Sequence, residues 1–128
     1  MTNLIVATLA LAAAEPVAQP PADNEIEVIG NRLREWRGKW KTRKGVVSCK
    51  TTRSTGNKAI DAIGCDAMVQ CIAPVAQQWA ALDAKLPKDE INRRANAMLE
   101  EARIGDCVSA KREAGIAELA ADRRSKRI

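Results

Sequence analysis

The sequence predicts a mainly α-helical domain of the α+β kind. In it, a short N-terminal β-hairpin packs on three or four helices and two disulfides join the parts. Three observations support this prediction: charge alternates with period 2 through residues 35–43, apolar residues recur at helical spacing from about residue 57 onwards, and the chain has four cysteines. A length of 128 residues suits one small domain.

The N-terminus has the pattern of a secretory signal. Residues 4–14 are all apolar or small, and the first charged side chain is Glu15. Eleven residues are too few to span a bilayer, which takes about 20, but they suit a signal peptide with an A-x-A cleavage site ending at Ala14. Residues 1–3 contain no Lys or Arg, and the alternative is a poorly ordered or buried N-terminal helix. We predict cleavage near Ala14 and export to the periplasm of a Gram-negative cell or secretion.

Residues 15–30 are predicted to form an extended, proline-rich leader, and residues 31–128 the folded domain. Acidic and apolar side chains alternate at the end of this leader, as expected of a strand or a docking peptide. The five residues concerned are Glu25, Ile26, Glu27, Val28 and Ile29.

Residues 24–30, "NEIEVIG", resemble the TonB box that follows the signal peptide of TonB-dependent outer-membrane receptors. They differ from it at Glu27 and Ile29, where that family usually has Val and Thr. The resemblance implies a short peptide that adds a strand to an energy-coupling or other periplasmic protein. The alternative is a segment that pairs within its own domain.

The predicted hairpin begins in a strongly basic stretch. Every odd position from 35 to 43 is charged, whereas Trp36 and Trp40 lie at even positions, so one face should be wet and the other should cover the helices. Lys44 and Gly45 separate this strand from a second one, "VVSCKTT". The stretch is either a surface for an anionic partner or an ordinary solvated strand face. Its candidate binding residues are Arg32, Arg34, Trp36, Arg37, Lys39, Trp40, Lys41, Arg43 and Lys44.

The remainder of the chain is predicted to be helical. A first helix should run from about residue 57 to residue 73, and Pro74 should end it and begin the next. A third helix should begin near Asp89. A change in the phase of the apolar stripe predicts a break at Gly105 and Asp106, beside Cys107.

The four cysteines are predicted to form two disulfides, because their number is even and the chain is predicted to be exported. Cys65 and Cys71 are six residues apart on one predicted helix, about 9 Å along its axis, which is too far for a bridge. Counted from the turn before that helix, Cys49 and Cys65 lie at similar heights, roughly 13 and 12 Å. The predicted pairs are therefore Cys49–Cys65 and Cys71–Cys107.

The composition argues against catalysis and metal binding. The chain has no histidine, which removes the commonest general base and the commonest metal ligand, and its cysteines lack the close C-x2-C spacing of zinc sites. We therefore predict no enzymatic activity, no cofactor and no metal.

With a net charge of +5, the protein is expected to bind an anionic partner such as lipid headgroups, lipopolysaccharide or an acidic protein. Nucleic acid is a poor partner for an exported protein, and no transmembrane segment is predicted in the mature chain. The alternative function is an interaction module that docks through residues 25–29, with the basic stretch only solvated.

Overall fold

The computed structural model describes the backbone of residues 21–127 and the side chains of residues 24–127. Within this range it contains four helices and one two-stranded antiparallel sheet, which confirms the predicted fold class. The predicted signal peptide and residues 15–20 of the predicted leader lie outside the described residues. The elements in chain order are α1 (Pro21–Leu33), β1 (Arg37–Arg43), β2 (Val46–Arg53), α2 (Lys58–Ala80), α3 (Lys88–Glu101) and α4 (Ile104–Ser125).

Helix α1 occupies the second half of the predicted leader, so the prediction of extended structure for residues 21–30 is wrong. Pro21 suits the first turn of a helix, where its missing N–H has no intrahelical partner to lose. Ile29 and Leu33 are four residues apart, lie on one side of α1 and are buried in the core. An alternation of five residues was too short to distinguish a strand from a helix with this buried pair.

The hairpin of β1 and β2 is confirmed. Lys44 and Gly45 form its two-residue turn, and both have positive φ angles, 51° and 78°. Such turns match the twist of the two strands and favour Asn or Gly, so the left-handed backbone at Lys44 costs about 1 kcal/mol. One face of the hairpin packs on α2 through Trp40 and Val47.

Helix α2 is the central element, and it does not end at the predicted position. It continues through Pro74 to Ala80, where two separate helices were predicted. Val75 and Ala76, which follow the proline, are buried, so packing holds the second half of α2 in line while Pro74 stays exposed. At the other end, the side chain of Asn57 caps the helix by accepting hydrogen bonds from the backbone N–H groups of Ala59 and Ile60.

The predicted break between the last two helices exists but lies slightly earlier in the chain. Helix α3 ends at Glu101, and Arg103 adopts a left-handed conformation with φ 49° before α4 begins at Ile104. Gly105 and Asp106 are therefore inside α4 rather than at the joint. Helix α3 packs on α2 and has no fully buried side chain, whereas α4 packs on both α2 and α1.

Both predicted disulfides are present. Cys49–Cys65 joins β2 to α2 with a Cα–Cα distance of 5.5 Å, and Cys71–Cys107 joins α2 to α4 with 5.9 Å. By length and composition alone, α2 is apolar enough to cross a membrane. Central core helices share these properties, and α2 contributes eight buried residues and one cysteine to each disulfide.

Candidate functional site

The outer face of the hairpin holds most of the predicted basic site. On β1, Lys39, Lys41 and Arg43 point away from α2, because the alternate residue Trp40 points toward it. All three are exposed. The structure thus places these predicted residues together on one solvent-facing surface, which we call the outer face.

Strand β2 adds cations to the outer face that the predicted site did not include. The register places Lys39 opposite Lys50 and, across an irregularity between Arg37 and Gly38, Arg37 opposite Arg53. With Lys41, Arg43 and Lys44, these make seven basic residues between positions 37 and 53, and this stretch contains no Asp or Glu. The same alternation that identified β1 would have identified Lys50, since its neighbour Cys49 faces α2.

The basic side chains of the hairpin have no carboxylate partner among the described residues. The ion pairs found among residues 24–127 instead involve arginines of α3 and basic residues at the C-terminal end of α4 and just after it. Like charges directly opposite each other on two strands destabilise the pairing, as Lys39 and Lys50 do here. The outer face is therefore a concentrated, uncompensated positive surface.

The two predicted arginines before the hairpin are exposed at its base. Arg32 is in the last turn of α1, and Arg34 is in the turn that follows. The guanidinium of Arg37 donates hydrogen bonds to the backbone carbonyls of Arg34 and Trp36, both at 2.8 Å. These bonds hold the Arg37 side chain against the turn that precedes β1.

Trp36, a predicted binding residue, is not part of the exposed surface. The side chain is 2% exposed and lies in the core cluster with Ile29 and Ile60. Its indole N–H donates a hydrogen bond to the hydroxyl of Thr51 at 2.9 Å, and the guanidinium of Arg112 lies 5.5 Å from the ring centroid. The ring is thus fixed as a structural contact between the hairpin and the helices.

Trp40 also faces inward. Its ring stacks on Trp79 of α2, with 5.4 Å between the ring centroids and 20° between their planes. The sequence correctly placed Trp40 on the face opposite the lysines, and this position leaves the outer face without an aromatic side chain.

The predicted docking peptide is helical, so its predicted strand-like conformation is wrong. Ile29 is completely buried, whereas Ile26 and Val28 are exposed on α1. Glu25 forms ion pairs with Arg123, at 3.2 Å, and with Arg127. These pairs join α1 to the C-terminal part of the chain, and the Arg123 hydrogen bond is the main cause of a lowered pKa of Glu25.

Two further carboxyl groups have shifted pKa values, and both have structural partners. Hydrogen bonds from the Ser54 hydroxyl and from the Thr55 N–H and hydroxyl lower the pKa of Asp61. Arg93 and then Arg94 lower the pKa of Glu90 to about 2. Among residues 24–127, no three His, Cys, Asp or Glu side chains are arranged to hold a metal ion.

Comparison with known proteins adds no relationship to this geometry. No family model, no curated protein sequence and no solved structure matches the chain.

Proposed function

We propose that this protein is an exported, non-enzymatic component of the cell envelope that binds an anionic partner through the outer face of its hairpin. The observation that supports the proposal most directly is the strand register, which sets Lys39 against Lys50 where no carboxylate lies between positions 37 and 53. An anionic partner would convert the repulsion between these side chains into attraction.

A strand face that is only solvated does not require cations alone, without any carboxylate among them. Lysines on an edge strand do protect against aggregation, and the hairpin has two edges. Aggregation is prevented equally well by acidic residues or by a mixture of signs, which would avoid the cost of facing like charges. The exclusive use of cations therefore favours a binding role.

Export is supported by two independent features. Residues 4–14 have the composition of a signal peptide, and they end in an A-x-A sequence. The two disulfides are compatible with an oxidising extracellular compartment. In that compartment the anionic partners are lipid headgroups, lipopolysaccharide phosphates and acidic proteins.

The absence of enzymatic activity is also part of the proposal. The chain lacks histidine, and each carboxyl group with a shifted pKa in the described residues has a lowered one. A general acid at neutral pH needs the opposite shift. Instead, Glu25 and Glu90 form ion pairs, and Asp61 accepts a hydrogen bond at the start of α2.

No second function is proposed through residues 25–29. Addition of this segment as a strand to another protein would require α1 to unfold and Ile29 to leave the core.

Elution from immobilised heparin, a sulfated polyanion, tests the proposal. The double variant Lys39→Gln/Lys50→Gln should elute at clearly lower salt than the wild type. Lys111→Gln/Arg124→Gln removes the same two charges from exposed positions of α4, which packs on α2 and α1, and should elute close to the wild type. Equal losses in the two variants would show that only net charge matters, and would contradict a site on the hairpin.

A further inference from the structure

The tip of the hairpin carries an apolar side chain in the middle of the cations. Val46 is 68% exposed, more than Ile26 at 42% or Val28 at 47%. It lies directly opposite Arg43 on the outer face and follows the turn that contains Lys44. An isolated exposed valine would need no explanation, but this one lies at the tip of a strongly basic hairpin.

On this basis, and resting on the proposed function, we propose that the anionic partner is a lipid bilayer and that the tip inserts Val46 into its interface. Proteins that bind a bilayer surface combine apolar side chains, which enter the boundary between headgroups and acyl chains, with Lys and Arg, which attract anionic lipids. Arg43 and Lys44 have apolar stems long enough to follow Val46 while their charged ends stay with the phosphates.

The shape of the basic surface agrees with a planar partner. Cations lie on both strands and in the turn, so they form a two-dimensional patch rather than a single row. A flat surface of headgroups suits such a patch better than a linear partner does.

The conformation of the turn supports a role for its lysine. Lys44 has φ 51°, in the left-handed region where Asn or Gly would be less strained. Strained residues persist where another requirement retains them, and here the retained residue places an exposed positive charge in the turn beside Val46.

Single-stranded nucleic acid fits the outer face less well. Proteins that bind it stack the bases on exposed aromatic rings, but the tryptophans of this chain all lie in the described range and all face inward. An acidic protein would use the cations without needing the exposed Val46. An apolar tip surrounded by cations is the combination that binding to an anionic bilayer requires, and it therefore favours the bilayer.

The test combines binding with a local probe of insertion. The oxidised protein is sedimented with vesicles of phosphatidylglycerol and phosphatidylcholine, and with vesicles of phosphatidylcholine alone. We expect binding to the anionic vesicles only, weakened about tenfold or more by Lys39→Gln/Lys50→Gln and about three- to tenfold by Val46→Ala. Val46→Ala should leave elution from heparin unchanged.

Insertion is measured with two single substitutions at exposed positions of the outer face, Val46→Trp at the tip and Thr52→Trp near the base. The three natural tryptophans give a constant background. On anionic vesicles the emission of Val46→Trp should shift to the blue and be quenched by brominated acyl chains, whereas that of Thr52→Trp should not.

The outcomes separate the lipid inference from the proposed function. Insertion of the tip would be overturned if the protein sediments with anionic vesicles but the emission of Val46→Trp does not shift. Equal emission shifts of Val46→Trp and Thr52→Trp would overturn it too. Elution from heparin at high salt without sedimentation would overturn the lipid partner and leave the proposed function standing. Failure to bind either probe would overturn both.

Discussion

The ring of Trp36 lies directly against the backbone of Gly64. A Cβ atom placed at Gly64 would be 2.6 Å from the indole, and one placed at Gly38 would be 2.3 Å from the opposite part of the ring system. The connection after α1 therefore reaches the core by placing a large ring between two glycines, one on α2 and one on β1. This contact fixes the position of the hairpin, and with it the outer face, relative to the helices.

Gly64→Ala should destabilise the protein by about 1–3 kcal/mol, since the new methyl group would overlap a ring that is confined on all sides. The free energy of unfolding from urea denaturation measures this. Gly105→Ala is the matched control, because a Cβ there meets no heavy atom within 4 Å and alanine favours the helix. The control should be neutral or stabilising by up to about 1 kcal/mol. Equal stability of the two variants would contradict the close packing of Trp36 on α2.

The two disulfides should contribute unequally to stability. Their sequence separations are 16 for Cys49–Cys65 and 36 for Cys71–Cys107, so loop closure in the unfolded chain gives about 3 and about 4 kcal/mol. Paired Cys→Ala variants, compared by urea denaturation, test this order. The Cys71→Ala/Cys107→Ala variant should also lose more helical signal on heating, because this bridge attaches α4. A larger loss for Cys49→Ala/Cys65→Ala would contradict the order.

The ion pairs of Glu25 should make stability fall in acid. Hydrogen bonding to Arg123, with the charge of Arg127, lowers the pKa of Glu25 from its ordinary 4.5 in the folded state. The stabilisation is therefore complete at pH values above the pKa of Glu25 in the unfolded chain, and it disappears as the pH falls through the lower pKa of the folded state. Between about pH 5 and pH 3, the free energy of unfolding should fall less steeply in Glu25→Gln than in the wild type.

Glu113→Gln is the control for that experiment. Glu113 is exposed on α4 and forms no ion pair among the described residues. This variant should retain the acid slope of the wild type. A slope in Glu25→Gln as steep as that of the wild type would mean that the pairs with Arg123 and Arg127 contribute nothing measurable.

The natural tryptophans should report the folded state and not the binding event. Trp36 is buried, and Trp40 and Trp79 are half-buried against each other, so the emission of the oxidised protein should already be blue-shifted in buffer. Addition of anionic vesicles should leave this emission nearly unchanged even where sedimentation shows binding. A large blue shift of the wild-type emission on binding would mean that the hairpin opens and releases Trp40 from Trp79.

The sequence allowed the hairpin and both disulfides to be predicted because each follows from simple geometry. Alternation placed Trp40 inward and Lys39 outward, and rise per residue brought Cys49 level with Cys65. The continuation of α2 through Pro74 was not predictable in this way, since it depends on tertiary packing of Val75 and its neighbours.

Two other differences have the same origin. Alternation correctly gave Trp36 an inward direction, but its depth of burial depends on Gly64, which is 28 residues away in sequence. The alternation in residues 25–29 was misleading because the burial of Ile29 with Leu33 is a contact of the whole helix α1 with the core. For the candidate site, alternation along each strand identifies the outward cations of β1 and Lys50 of β2, whereas the position of Lys50 directly opposite Lys39 required the pairing of the strands.

Removal of the facing lysines should stabilise the hairpin while it weakens binding. Lys39 and Lys50 are directly opposite each other, and like-charged pairs of this kind cost roughly 0.2–1 kcal/mol. Lys39→Gln/Lys50→Gln should therefore raise the free energy of unfolding by about that amount at low salt, with a smaller gain at high salt, where the repulsion in the wild type is already screened. Urea denaturation at two salt concentrations measures both quantities.

The single variant Lys39→Glu provides the complementary test. It replaces the repulsion with a Glu–Lys pair across the strands and should be at least as stable as the double variant, while its elution from heparin should also move to lower salt than that of the wild type. Lys111→Gln/Arg124→Gln, with the same loss of charge on α4, should show much less of the stability gain. A gain in stability of equal size in that control would mean that the gain comes from the lower net charge of the whole protein. A gain confined to the hairpin variants would show that the outer face retains these cations at the expense of stability.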